Sequence, residues 1–337
     1  MKELNLCCFG PVKRAVNKYF GVWRVIKTIR CWNLTQVLAG LLVGFSVIPV
    51  VFAGTIVRIN TSLGDYSIEL LDDIAPASVQ NFLDYVNRGA YDSTYLHRVI
   101  PGFVVQGGGF TFQPFVGPIA VVADPAVVNE FNVSNTRGTV AMAKLDGDPD
   151  SATTQWFVNL VDNSGTLDSS NGGFTVFGNV LGDGMQVLDA IAALPSVNLG
   201  TNTPDAPFIT PTYQGPSSFV YTNAEVVERF SGAPHVYEVG SGKLFSAVSV
   251  DNGAILLGLD FSTVSTVNEM IIAVDAKSII NKKDSFDGIA SYTTSDGRLR
   301  IPSLEVFDGS STLILSNVVF VLSGPASSQF VLESFDQ

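Results

Sequence analysis

At 337 residues, with a net charge of −12 and 46% hydrophobic residues, the chain is long enough for two domains with proper cores. Its acidity argues against partnership with nucleic acid or an anionic lipid surface. The charge is uneven: residues 1–53 carry +6, from seven Lys/Arg and the single acid Glu3, which leaves −18 on the rest. All three cysteines (Cys7, Cys8, Cys31) also lie in that first stretch, so residues 54–337 have no disulfide and no thiol chemistry.

The basic stretch leads into an apolar run, VLAGLLVGFSVIPVVFA (37–53), which ends with Val51 and Ala53 at the −3 and −1 positions of a cleavage site. Basic, apolar, then small is the order of a secretory signal peptide. Residues 1–53 are therefore expected to be a leader cut before Gly54, with an uncleaved anchor as the alternative because the basic part is long. Export to a bacterial periplasm or beyond follows, with no stable membrane insertion after cleavage.

Residues 55–61 and 65–71 alternate as a hairpin around Ser62-Leu63-Gly64. Pro76 opens a helix that Gly89 ends, with Val79, Phe82, Leu83 and Val86 on one face. Strands are expected at 96–100, 103–107, 139–144, 155–160 and 174–181. A second helix spans about 184–194, with Asp183 as N-cap and Val187, Leu188 and Ile191 inward. Residues 195–218, rich in Pro, Thr, Asn and Gly, read as a long loop, and 219–230 as a further strand. From 234 onward, Asn252-Gly253, Asp287-Gly288, Asp296-Gly297 and Asp308-Gly309 mark turns between strands, 298–306 and 312–322 among them. His235 stands alone beside Pro234 and reads as solvated. The acidic loop LDGDPDSA (145–152) lacks EF-hand spacing, and GGG (107–109) lacks the lysine of a phosphate loop.

One stretch resists a purely structural reading. In YLHRVIPGFVVQGGGF (95–110), strict alternation would put Arg98 on a face with Leu96 and Ile100, and Gln106 with Val104 and Gly108. A buried guanidinium or amide is costly unless paired or used. The stretch resembles the signature of the cyclophilins, the peptidyl-prolyl cis-trans isomerases. The similarity continues in order through RGTVAMAK (137–144), SATTQWFVNL (151–160) and GGFTVFGNVLGDGMQVLDAI (172–191), and covers about residues 55–229.

The resemblance implies a mainly β fold: a closed eight-stranded antiparallel barrel capped by two helices, residues 54–230. A small antiparallel β module of unknown function follows, residues 234–337. It implies that Arg98 is the catalytic arginine and that Phe103, Val104, Phe157 and Leu167 line a proline pocket. Gln106 and main-chain groups at Ala143 and Lys144 would hold the peptide, Gln155 would support the groove, and His97 would be structural. Phe174 and Lys144 stand where many relatives have histidine and asparagine. An X–Pro bond meets a rotational barrier of ~18–20 kcal/mol because its amide is planar. Its nitrogen becomes a hydrogen-bond acceptor only in the twisted transition state, so a fixed arginine donor there favours that state. Such chemistry uses no cofactor and no metal. The expected partners are proline-containing unfolded or partly folded proteins, with envelope or client contact through the C-terminal module. The alternative is a peptide-binding module or holdase in which turnover does not matter.

Overall fold

The computed structural model describes residues 54–200, 203–210, 212, 214–267, 269–324, 326 and 328–337. The proposed leader, residues 1–53, lies outside them. The described chain is mainly β, with three α-helices, and residues 54–337 belong to one compact unit.

Strands β1 (Ile56–Thr61) and β2 (Gly64–Leu70) form the expected hairpin, with Gly64 taking a φ of +140° in the turn. Val57, Ile59, Tyr66, Ile68 and Leu70 point into the core, while Arg58, Asn60 and Asp65 point away from it. Helix α1 (Pro76–Asn87) has proline in its first turn, and Gly89 turns the chain out of it at a φ of +67°. Its inward stripe is Val79, Phe82, Tyr85 and Val86, with Leu83 only partly buried. Phe82 meets Trp156 edge-on at 6.3 Å and Phe177 at 5.1 Å. Burying one such ring contributes about 2–3 kcal/mol.

The chain then forms β3 (Thr94–Tyr95), β4 (Arg98–Ile100), β5 (Val104–Gly107), β6 (Phe110–Gln113), β7 (Gly117–Ala120), β8 (Thr139–Met142) and β9 (Trp156–Asn159). After a short helix α2 (Ser164–Leu167) come β10 (Val176–Val180) and helix α3 (Gly184–Ala192). Asp183 sits at the N-cap of α3, but its carboxylate takes a hydrogen bond from the Gln186 side chain rather than capping the backbone. Residues 195–218 are not a plain loop. They hold a small ladder, β11 (Ser196–Val197) with β12 (Ala206–Pro207), and they send Phe208 into a cluster with Tyr95, Phe110 and Phe219.

With β13 (Tyr221–Val227) the first sheet has the order β4-β5-β9-β8-β10-β2-β1-β13-β3-β6-β7. Residues 94–100 supply two of its members. Their first residues pair with β13 (Tyr95 with Tyr221) and their last with β5 (Arg98 with Gln106). The strand is interrupted at Leu96 and His97, and this changes the expected facing. Leu96 and Val99 both enter the core, so Arg98 does not share a face with Leu96. The hairpin β6–β7 was not anticipated from the sequence.

Strands β14 (His235–Glu238), β15 (Lys243–Val250), β16 (Ile255–Ser265), β17 (Ile271–Val274), β18 (Ile280–Asn281), β19 (Ala290–Thr293), β20 (Arg298–Phe307), β21 (Thr312–Gly324) and β22 (Gln329–Asp336) follow. Pairing runs β15-β19-β20-β21-β22-β17-β16 and returns to β15, which closes a barrel around Leu244, Phe261, Ile301 and Phe320. The expectation of a purely antiparallel module is corrected, because β14 with β20 and β15 with β19 run parallel. His235 is not solvated. It is buried, with Nδ1 at 2.8 Å from Ser246 Oγ and Nε2 at 2.9 Å from the Gly288 carbonyl. Burial lowers its pKa, so the ring is neutral.

The outward face of β1, β2 and β13 carries the second barrel. Ile56, Val227, Ala233, Val236 and Phe245 form the apolar part of that contact. Lys282 forms the polar part: its ammonium donates to Asn60 Oδ1 at 2.6 Å and to the Thr61 carbonyl at 2.9 Å, and it pairs with Asp65. Asp65 also binds Arg58 at 2.6 Å. Burial pushes the Asp65 carboxyl up, but Lys282 and Arg58 outweigh this and hold it at about 2. The Gly258 backbone approaches these side chains closely, since a Cβ there would lie 2.7 Å from Lys282 Cε and 2.8 Å from the Asn60 side-chain nitrogen.

Candidate active site

Arg98, Gln106, Phe157 and Ala141 stand opposite one another across β4, β5, β9 and β8, so strand register alone places them in one row. Beside the row is an apolar cluster of Val104, Phe157 and Leu167, with Phe103, Ala143 and Phe174 packed against it. The six come from four strands or their ends and from α2, which explains why short sequence motifs carry them separately.

The polar side of the row is a chain of hydrogen bonds. Arg98 Nη1 donates to Gln106 Oε1 at 3.1 Å, and Gln106 Nε2 donates to Gln155 Oε1 at 2.8 Å. His97 Nε2 reaches the same Gln155 oxygen at 3.2 Å. Burial, only partly offset by the bond to Gln155, lowers the His97 pKa to about 4, so the ring is a neutral donor and not a proton carrier. Gln106 has a second amide N–H, and Arg98 has four further N–H donors. Among the described residues no carboxylate forms a salt bridge with Arg98.

Ala143 N–H is engaged by the Gln155 carbonyl at 2.9 Å. The Lys144 side chain folds back onto the carbonyls of Asn171 and Gly173, at 2.9 and 2.6 Å, and its ammonium lies 4.8 Å from the Phe174 ring centre. Burial lowers its pKa. Every residue expected at the site therefore lies in or beside this row, with the Lys144 side chain occupied by its own carbonyl contacts.

Two features escaped the sequence reading. Phe174, read from the sequence only as a departure from the family's histidine, packs edge-on against Phe157 at 5.8 Å. Beside the apolar cluster lies a net of short amides. Asn163 Nδ2 donates to the Phe103 carbonyl at 3.0 Å and to Asn159 Oδ1 at 2.8 Å. Asn159 Nδ2 reaches Asn135 and Thr139, and Asn135 Nδ2 holds the Phe174 carbonyl at 3.0 Å and Asp168. A fully buried asparagine in the apolar strand WFVN was the available signal.

The glycines that follow Gln106 are packing requirements. A Cβ on Gly108 would lie 2.5 Å from the Thr154 carbonyl and 2.8 Å from Trp156 Nε1, at a φ of +76°. Gly108→Ala is expected to cost about 3 kcal/mol from overpacking and left-handed strain together, read as a lower urea midpoint with unchanged slope. Among the described residues no His, Cys, Asp and Glu group is arranged to hold a metal, and no helix is long and apolar enough to cross a membrane. Cavities of about 370 and 310 Å³ lie away from the row, against the second barrel.

The family model for cyclophilin type peptidyl-prolyl cis-trans isomerase matches residues 56–210. Peptidyl-prolyl cis-trans isomerase A of Dickeya dadantii is 43% identical over 161 residues, which is 46% of this chain and 81% of that protein. The chain belongs to the cyclophilin-type peptidyl-prolyl cis-trans isomerases. A peptidyl-prolyl cis-trans isomerase of Acinetobacter baylyi is 41% identical over 175 residues, 51% of this chain and 88% of its own length. A crystal structure of a Cryptosporidium parvum cyclophilin matches with a TM-score of 0.40 at 23% identity, over 52% of this chain and 99% of its own. The cyclophilin family model stops at residue 210, short of β13, which completes the first sheet, and short of the whole second barrel.

Proposed function

We propose that the chain catalyses cis–trans isomerisation of X–Pro bonds in unfolded or partly folded proteins, with Arg98 as the catalytic residue. The observation that carries this is the row Arg98–Gln106–Phe157, a guanidinium fixed beside an apolar cluster that includes Val104, Phe157 and Leu167. Phe103, Val104, Phe157, Leu167 and Phe174 hold the ring and exclude water. Gln106 fixes Arg98 through its oxygen and keeps one N–H for the peptide carbonyl, while Gln155 holds Gln106 and is itself held by His97. The Lys144 backbone pairs with the peptide's main chain.

As the amide twists, the prolyl nitrogen recovers its lone pair and accepts from Arg98. The guanidinium is already held, so little reorganisation is required at that moment. Removing ~7 kcal/mol of barrier would give about a 10⁵-fold acceleration.

We read residues 54–230 as the isomerase domain, an eight-stranded barrel capped by α1 and α3, because residues 94–100 pair with β5 through β4 and with β13 through β3, which returns the strand order on itself after eight strands. Residues 234–337 are read as a separate module on the far wall, since the groove uses β4, β5, β9 and β8 and the module contacts β1, β2 and β13. Export through the leader would make the clients secreted or periplasmic proteins. The test is exchange of a four-residue X–Pro peptide followed by NMR. Accelerated exchange supports the isomerase; binding of the peptide at an unchanged exchange rate would make the chain a holdase instead.

A further inference from the structure

The β6–β7 hairpin plays no part in the reading above. Its tip is Gln113-Pro114-Phe115-Val116, closed by a 3.1 Å hydrogen bond from the Val116 N–H to the Gln113 carbonyl. Proline second suits both common turn types, and the one taken here has a positive φ at the third position, where glycine or asparagine is normally found. Here Phe115 holds it, at a φ of +67°. A bulky residue is strained in that conformation, and its side chain is wholly exposed, so packing does not offset the strain. Val116, Ile119 and Val122 are exposed beside it.

The base of the hairpin packs against His97 and Gln155, the pair that supports Gln106 in the row. The Phe110 ring stands edge-on to His97 at 5.0 Å. A Cβ on Gly109 would come within 3.0 Å of both His97 and Gln155, and Gly109 accepts a hydrogen bond from Val121 N–H at 2.9 Å. The tip therefore stands up to about 17 Å along the chain from that base, five residues at ~3.3 Å each. β7 is also the outer member of the first sheet, with one side open to another strand.

We propose that this hairpin is a second contact for unfolded client chains, holding an apolar, extended stretch about five residues along the client from the proline in the groove. The inference rests on the isomerase reading. Continuity with the groove favours a segment of the same client. The −18 charge of residues 54–337 opposes both a second copy of the chain and an anionic membrane as occupant.

The test uses the full chain, the double variant Phe115→Ser/Val116→Ser, and Phe115→Gly, which suits the turn. One probe is a four-residue X–Pro peptide, too short to reach the tip. The other is a permanently unfolded, carboxymethylated protein labelled for anisotropy. The expected result is unchanged turnover of the peptide in all three, with affinity for the unfolded protein at least fivefold weaker in both variants. Phe115→Gly should also melt at a temperature no lower than the wild type. Equal affinity of wild type and variants overturns the proposal, whether or not the peptide is turned over. No turnover of the peptide by the wild type overturns the isomerase reading instead. If the variants lose self-association or vesicle binding rather than client affinity, the tip belongs to a second copy or to lipid, and the proposal fails.

Discussion

Arg98→Ala is expected to lower kcat/KM for a four-residue X–Pro peptide by about 10²–10³-fold, the effect of removing one preorganised transition-state donor. The loss should fall on kcat, with peptide affinity within a few fold of wild type, because the proposed ring site is the apolar cluster of Phe103, Phe157 and Leu167 rather than the guanidinium. Arg98 is only partly buried and has no salt-bridge partner among the described residues, so the unfolding midpoint should stay in place. Arg98→Lys should recover little. A lysine ammonium on a flexible stem cannot bind Gln106 and face the prolyl nitrogen in one rigid plane. A lysine variant with near wild-type turnover would mean that positive charge alone suffices and that the geometry argued above is wrong.

Asp65→Ala is expected to destabilise the chain by about 3–5 kcal/mol, since it strands two cations at the contact between the barrels. Lys282 is nearly enclosed there and Arg58 is mostly covered. Replacing Arg58, Asp65 and Lys282 together by apolar residues of similar volume should restore most of the loss, because the desolvation cost disappears with the charges. Chemical unfolding followed by far-UV circular dichroism would measure both. The pH dependence has a defined sign. Asp65 titrates at about 2 when folded, below its ordinary value near 4. Its contribution, about 2 kcal/mol, is present above pH ~4 and is lost as pH falls toward 2. The stability gap between wild type and Asp65→Asn should shrink over that window. A gap that stays constant would show that Asp65 is not held charged by its neighbours.

Legibility followed sequence distance. The candidate site residues sit in short motifs, and strand register brings Arg98, Gln106 and Phe157 side by side, so their proximity was readable. The reading failed where position depends on a distant partner. Strict alternation mispaired Arg98 with Leu96 because the strand breaks where it exchanges β13 for β5. His235 looked solvated beside Pro234, yet its two partners are Ser246 and Gly288. The turn signals after residue 234 gave the strands, but not the parallel pairing of β14 with β20, whose partners are some 70 residues apart. Asn135, Asn159 and Asn163 are ordinary in sequence, and only the fold joins them.

The position of β13 has a consequence for how the molecule is made. β1 is the first strand of its sheet to be synthesised, and one of its two neighbours, β13, comes about 165 residues later. Closing so long a loop costs entropy before any contact offsets it, and topologies of this kind fold slowly. The second barrel is built largely from neighbours in sequence, β15 with β16 and β20 with β21. The later-made barrel is thus positioned to form first, and to give β13 a firm edge on which the earlier sheet completes itself.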